Sequence, residues 1–165
     1  MCLGSRKIEI RLISETDLIR NKNILIHLLE DNLKNNFPNI NNLTKFVVSG
    51  YEDMVRFKQN NSAILIGAFE EETIIGFLWA YKRDVLGEKR MHVGHIVVNS
   101  AVRSCGIGLK LLKKLEYLSR QECIKKLELM TTVKNESTIK FYTSYGFSIV
   151  RVQLEKELGE TDDNR

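Results

Sequence analysis

The chain has 165 residues, of which 43% are hydrophobic and 28% are charged, and its formal net charge is +4. A length of this order predicts one domain that buries a core of its own, and the composition excludes collagen-like and wholly disordered proteins. The charges alternate in sign instead of forming a basic stripe, so a nucleic-acid partner is not expected. We predict a single domain over residues 1–165, with its core at about 7–154 and a polar tail at 155–165.

Neither a membrane span nor a disulfide framework is predicted. The longest apolar run, Ile74–Tyr81, is far shorter than the 18 or more residues that a spanning helix requires. The three cysteines are odd in number and lack metal-ligand spacing, which indicates reduced thiols and no metal site. The chain does not open with a basic start and an apolar stretch, so we expect a cytoplasmic protein.

The first elements in chain order are a strand and a broken helix. Polar and apolar residues alternate over 7–13, the pattern of a half-buried strand. Ser14 and Asp17 have the spacing of a capping box, which predicts a helix over about 15–34 with a break near residues 21–23. An Asn-rich loop at 35–42 and a short helix at 51–60 are predicted to follow.

The second half alternates strands and helices. The predicted elements are a strand pair at 63–69 and 73–81, a charged turn at 83–89, a strand at 91–99, an amphipathic helix at 108–120, a strand at 127–133, a helix at 136–145 ended by Gly146, and a last strand at 147–154. Hairpins favour antiparallel pairing and strand–helix–strand units favour parallel pairing. The order therefore predicts an α/β (α+β) protein with a mixed sheet covered by helices.

The stretch from Val97 to Leu112 runs from an apolar strand through a glycine-containing turn into a helix. Amide N–H groups at a helix N-terminus favour a phosphate, and Gly106 and Gly108 let the backbone approach such an anion closely. Two other phosphate loops do not fit. A dinucleotide fingerprint requires a glycine where Leu111 stands, and the Gly-Lys-Ser/Thr of a Walker loop is absent.

Two segments together resemble the GNAT superfamily of acetyl-CoA-dependent N-acetyltransferases. Arg103-Ser104-Cys105-Gly106-Ile107-Gly108 has the form Arg/Gln-x-x-Gly-x-Gly/Ala, and the segment from Asn135 to Phe147 has the form Asn…Phe-Tyr-x-x-x-Gly-Phe. The resemblance covers Lys7–Leu154 and is most specific over Met91–Phe147. It implies a mostly antiparallel central sheet, flanked by helices, in which the parallel strands at 91–99 and 127–133 splay apart.

The resemblance implies acetyl-CoA as the co-substrate, with no metal. Main-chain groups of Ile96 and Val98 would pair with the pantetheine arm and the thioester carbonyl. Asn135 would contact the cofactor near the gap between the strands, or would cap the helix that follows it. The pyrophosphate would be held by seven consecutive amides, those of Arg103, Ser104, Cys105, Gly106, Ile107, Gly108 and Leu109.

Direct attack of a neutral amine on a thioester needs a base, and the departing thiolate needs a proton. Tyr142 stands at the family's general-acid position, and a phenol suits that donation. Strand periodicity places His92 on one face with residues 94, 96 and 98, which makes it the candidate base, with a structural role as the alternative. His95 has the opposite parity and is expected to point away unless a bulge intervenes.

The amine acceptor is not identified by any motif. The acceptor is either a small-molecule amine or an amine of a peptide or protein. The protein is either a monomer or a homodimer. Residues 24–60 correspond to the region that shapes the acceptor site in the family, and its carboxylates Glu30, Asp31, Glu52 and Asp53 are candidates to bind a cationic amine. Trp79, Tyr81 and Phe77 share one strand face as candidate pocket walls. A non-catalytic acyl-CoA sensor and a cofactor-free interaction domain are the alternative functions.

Overall fold

The computed structural model describes residues 7–36 and 42–156, which fall into two compact units, one ending at Thr132 and the other beginning at Val133. The elements of the first unit are β1 (Ile8–Leu12), α1 (Glu15–Arg20), α2 (Lys22–Asn36), α3 (Leu43–Gln59), β2 (Ala63–Glu70), β3 (Thr73–Val85), β4 (Glu88–Val98), a 3-10 turn (Ser100–Val102), α4 (Ile107–Gln121) and β5 (Leu127–Leu129). The second unit contains α5 (Glu136–Ser144). Within the described ranges, no helix combines the length and apolar character needed to cross a membrane.

The five strands of the first unit form one sheet in the order β1-β2-β3-β4-β5. The first three pairings are antiparallel and the last, β4 with β5, is parallel. The predicted mixed, mostly antiparallel sheet with helices around it is confirmed. The parallel pairing is short, because it joins only Met91, His92 and Val93 of β4 to β5.

The start of the helical region follows the capping signal in the sequence. The Ser14 hydroxyl accepts a hydrogen bond from the Asp17 amide at 3.1 Å, and the Asp17 carboxylate accepts one from the Ser14 amide at 2.8 Å. The predicted break is also present, since α1 ends at Arg20 and Asn21 is its C-cap. The Asn21 side chain explains the break, because its oxygen accepts the Ile74 amide of β3 at 3.0 Å and ties the junction to the sheet.

The core of the first unit lies between the sheet and α1–α3. Its fully buried members include Leu18, Leu25, Leu28, Met54, Phe69 and Phe77. The helix α4 packs on the strands through an apolar stripe that consists of Ile107, Leu111, Leu112 and Leu115.

The start of α3 and the turn between β3 and β4 differ from the prediction. The helix α3 begins at Leu43, well before the predicted start at residue 51. Its N-cap residue, Asn42, has a left-handed φ of +63° and makes no side-chain cap hydrogen bond. The predicted charged turn at 83–89 is mostly strand. The chain reverses over Leu86 and Gly87 alone, whose φ angles of +56° and +80° are those of a two-residue hairpin turn.

The end of the chain departs further from the prediction. The strand predicted at 147–154 does not form in the structure, and β5 stops at Leu129 instead of 133. Four apolar side chains of this segment are 71–90% exposed: Ile149, Val150, Val152 and Leu154. An alternating pattern makes a strand only where a neighbour accepts its backbone hydrogen bonds, and no described strand pairs with this segment. Residues 37–41 of the predicted loop and 157–165 of the tail lie outside the described residues.

Candidate active site

Beyond Val93, β4 has an edge that no described strand covers. The Asn99 amide donates to the Ile75 carbonyl at 2.9 Å, so these residues form a hydrogen-bonded pair. Hydrogen-bonded and non-hydrogen-bonded pairs alternate in an antiparallel ladder. In the register of β3 and β4, the main-chain groups of Ile96 and Val98 therefore point away from β3, toward the uncovered edge. The guanidinium Nε of Arg103 already donates to the Val98 carbonyl there, at 3.1 Å.

A β-bulge at Gly94 changes which side chains of β4 share a face. Trp79 of β3 pairs with His95, whereas Ala80 pairs with Val93, so Gly94 is the extra residue. His95 therefore lies on the same face as His92. The predicted common face of His92 with residues 94, 96 and 98 is wrong, because every side chain after the bulge has changed face.

Ring contacts place both histidines against the aromatic face of β3. The centroids of His92 and Tyr81 are 5.0 Å apart, and those of His95 and Trp79 are 5.4 Å apart. The expected common face of Trp79 and Tyr81 is thus the histidine face. Phe77 shares the parity but is fully buried in the core.

His92 is 5% exposed, and its Nδ1 lies 3.3 Å from Oε1 of Glu128 on β5. Arg83 and Arg90 each place a guanidinium nitrogen 3.3 Å from the same carboxylate. A carboxylate only accepts hydrogen bonds and a guanidinium only donates them. The tautomer with its proton on Nε2 accepts from Arg83, whose Nη1 lies 3.4 Å from Nδ1, whereas the tautomer with Nδ1–H donates to Glu128 and leaves the Nε2 lone pair available. This tautomer is the one that a general base requires.

The Glu128 carboxylate stays ionised at neutral pH. Burial by itself disfavours its charged form, but hydrogen bonds from His92 and Arg90 and the charge of Arg83 outweigh that effect and lower the pKa of Glu128. Sequence reasoning missed this residue. The available signal was a lone charged side chain in the centre of a short apolar strand, Leu127–Leu129, beside the histidine strand.

His95 has a different environment. Its Nδ1 is 3.0 Å from the Asn32 side-chain nitrogen, and the Asn36 amide group donates to both the carbonyl and the side-chain oxygen of Asn32. This chain of bonds orients the Asn32 amide so that it donates to Nδ1. Burial lowers the pKa of His95, so its ring is neutral and carries its proton on Nε2. His95 is a hydrogen-bond donor and not a base in this arrangement.

The loop before α4 has a left-handed residue at Gly106, as expected, whereas Gly108 lies within α4 and has no positive φ. Ser104 and Gly106 have φ angles of +65° and +73°, and α4 begins at Ile107 without an acidic residue in its first turn. The Arg103 amide is engaged, since it donates to the Ser100 carbonyl at 3.4 Å. In the part of the chain that the structure describes, no hydrogen bond uses the amides of Ser104, Gly106, Ile107, Gly108 or Leu109.

In the second unit, Asn135 caps α5 by accepting the Thr138 amide at 3.3 Å. Tyr142 is buried on α5, with its ring centroid 5.2 Å from that of Phe141 and 5.3 Å from that of Phe147. Burial raises the pKa of the Tyr142 phenol, so the hydroxyl keeps its proton well above neutral pH.

A cleft of about 400 Å³ opens beside the aromatic face of β3. Its lining residues are Phe57, Ser62, Trp79, Tyr81 and Lys82. Two of the four candidate acceptor carboxylates are paired with basic neighbours on their own helices, Glu30 with Lys34 and Asp53 with Arg56. Oδ2 of Asp31 lies 3.8 Å from Nε2 of His27.

Solved structures of other proteins share this architecture. Solved structures of similar fold include a transcriptional regulator from Bacillus halodurans C-125 (22% identity, TM-score 0.71, covering 92% of this chain and 100% of that one). Others are the PaiA N-acetyltransferase from Thermoplasma acidophilum in complex with coenzyme A (22%, 0.72, 89% and 93%) and a predicted acetyltransferase from Clostridium acetobutylicum with acetyl-CoA (18%, 0.70, 92% and 96%). No curated protein matches the chain. Residues 27–147 match the model of the acetyltransferase (GNAT) family, and with most of its length covered the chain belongs to that family.

Proposed function

We propose that this protein transfers an acetyl group from acetyl-CoA to a primary amine by direct attack within a ternary complex. The observation that carries the proposal is the uncovered edge of β4 at Ile96 and Val98, which leads along the chain into the loop before α4. A ligand that pairs with the strand edge and ends in a diphosphate matches both features. Coenzyme A and acetyl-CoA are bound by two of the similar structures.

The diphosphate contacts are assigned to the loop amides. The N–H groups of Ser104, Gly106, Ile107, Gly108 and Leu109 make no hydrogen bond to residues 7–36 or 42–156, and the N-terminal end of α4 adds a favourable dipole. We also assign the Cys105 amide to the diphosphate, because Cys105 lies between Ser104 and Gly106 in the loop. Arg103 differs, because its amide donates to Ser100 and its side chain covers the Val98 carbonyl, so pairing at Val98 requires that side chain to move.

When bound, acetyl-CoA supplies the acetyl group as a thioester. The neutral amine nitrogen forms a bond to the carbonyl carbon, the carbon–sulfur bond breaks, one proton leaves the amine and one proton joins the sulfur. We assign the first proton to Nε2 of His92, which Glu128 leaves unprotonated by holding Nδ1–H. His95 is not assigned this role, since its Nδ1 accepts from Asn32 and its Nε2 is protonated.

The second proton is assigned to Tyr142, on the strength of its place in the Asn135–Phe147 motif. Its raised pKa keeps the phenol protonated and ready to donate to a thiolate. Asn135 is assigned to the cofactor through the same motif, beside its observed role as the cap of α5.

Calorimetry with CoA and acetyl-CoA, followed by a thiol-release assay with a panel of primary amines, tests the proposal. We expect saturable binding of both cofactors and amine-dependent release of free CoA. Binding without release by any amine would reject the transferase in favour of an acyl-CoA sensor. Absence of any heat of binding would reject both functions.

A further inference from the structure

We infer that the cleft beside β3 binds the acceptor, and that this acceptor is a primary amine attached to one aromatic or apolar body, not a polycation. The inference rests on the proposed function, because it names the substrate class of the same reaction. It is argued from the walls of the cleft, from the charges around it and from its position beside the two histidines.

The walls of the cleft are aromatic. Phe57 of α3 and Trp79 of β3 are in contact, with ring centroids 5.5 Å apart, and Tyr81 follows on the same face. On such aromatic surfaces, most of the binding free energy comes from burial of the apolar part of a ligand. The cleft volume of about 400 Å³ is near the lower end of the range for small-molecule sites. It suits a ligand with one ring better than one with three.

The charges around the cleft disfavour a polycation. None of the lining residues is acidic, and the single charged one, Lys82, is a cation whose ammonium pairs with Glu122. The carboxylate of Glu128 already contacts the side chains of Arg83, Arg90 and His92. A second or third ammonium would enter beside these cations with no carboxylate among the lining residues to neutralise it, and a like charge costs binding energy.

The cleft adjoins the proposed base. The two aromatic rings of β3 that line it, Trp79 and Tyr81, contact His95 and His92 respectively. Neither histidine lines the cleft itself, so a ligand ring on these side chains would reach the histidine pair through an amine on a short chain. A single ammonium is also compatible with the aromatic faces, which attract a cation.

Trp79 is the only tryptophan of the chain, so its fluorescence reports occupancy of the cleft without any chemistry. We would saturate the protein with CoA and titrate it with phenethylamine, spermidine and the aminoglycoside sisomicin. We expect a saturable change in emission with phenethylamine, at a Kd at least tenfold below that of either polycation. The Phe57→Leu variant should weaken phenethylamine binding at least fivefold. Phe46→Leu, which alters an exposed ring on the same helix, should not.

The outcomes separate this inference from the proposed function. Tighter binding of spermidine or sisomicin than of phenethylamine would overturn the cleft assignment, as would an equal loss of phenethylamine affinity in Phe57→Leu and Phe46→Leu. Acetyl transfer to spermidine or sisomicin would in that case still support the proposed acetyltransferase function. Phenethylamine binding that is lost in Phe57→Leu, together with no thiol release from acetyl-CoA, would keep the cleft as an amine site and reject the transfer reaction.

Discussion

His92 of β4 and Glu128 of β5 lie opposite each other in the parallel strand pair, with Nδ1 and Oε1 3.3 Å apart. The contact crosses the two strands at the point where their pairing is about to end, since Val93 is the last paired residue of β4. The proposed base and the residue that would orient it are therefore both held by the sheet, beside the uncovered edge that we assign to acetyl-CoA.

The first prediction concerns Glu128→Gln. The amide oxygen can still accept the His92 Nδ1–H, but the negative charge that stabilises a protonated imidazole is lost. We expect the acidic limb of the kcat/KM profile to move to lower pH and the plateau to fall about tenfold, which is less than the roughly 10²–10⁴-fold effect of a general base itself, because His92 is still present. Steady-state kinetics between pH 5.5 and 9 measure both.

Glu88→Gln is the matched control for that experiment. Glu88 pairs with Arg90 and Lys126 on the same sheet, so its loss changes the local charge without a contact to His92. We expect no displacement of the acidic limb. A uniform fall of the whole profile in Glu128→Gln, with the limb in place, would assign Glu128 to stability alone.

The second prediction concerns Tyr142→Phe, which removes a hydroxyl and keeps the ring contacts with Phe141 and Phe147. We expect kcat to fall at least tenfold, a modest general-acid effect, with little change in the Kd of acetyl-CoA. Because burial raises the pKa of Tyr142, the wild-type rate should show no loss from phenol ionisation up to about pH 10. Tyr145→Phe is the control, and equal kcat losses in both variants would remove Tyr142 from the mechanism.

The third prediction separates backbone strain from phosphate binding. Gly106 and Gly87 have φ angles of +73° and +80°, and an added Cβ would meet nothing within 4 Å at either position. Alanine at each site should therefore lower the unfolding free energy by about 1 kcal/mol through backbone strain alone. Only Gly106→Ala should also weaken CoA binding, by about tenfold in calorimetry. Equal CoA affinity in the two variants would contradict the role of the loop.

Much of the fold could be predicted because its signals are local. The capping box at Ser14, the break at Asn21 and the left-handed stop at Gly146 each depend on a few adjacent residues, and all three are present. The start of α3 was missed since Asn42 makes no side-chain cap, and the strand at 147–154 was wrong since alternation does not reveal whether a partner strand is available.

The face of β4 that carries both histidines could not be predicted, because a single bulged residue determines it. A period of two holds along β4 only until Gly94, and the bulge there depends on pairing with β3, which the strand's own sequence does not show. Glu128 was missed for a related reason. Its contact with His92 depends on the register of two strands separated by the whole of α4.

The fourth prediction concerns folding stability in acid. The Asp17 carboxylate is buried, caps α1 and accepts two hydrogen bonds from Arg11 at 2.6 and 2.9 Å, and the Arg11 bonds lower the pKa of Asp17 well below its usual range. A lowered folded-state pKa gives stability that is fully present above the unfolded value of about 3.9 and is lost as pH falls below it. Asp17→Asn should cost about 2 kcal/mol in urea unfolding at pH 7, and the deficit should shrink below pH 4. The control is Glu15→Gln, at an exposed position in the same turn, which should change the unfolding free energy little. A stability deficit of Asp17→Asn that stays constant down to pH 2 would show that the charge of Asp17 does not stabilise this helix start.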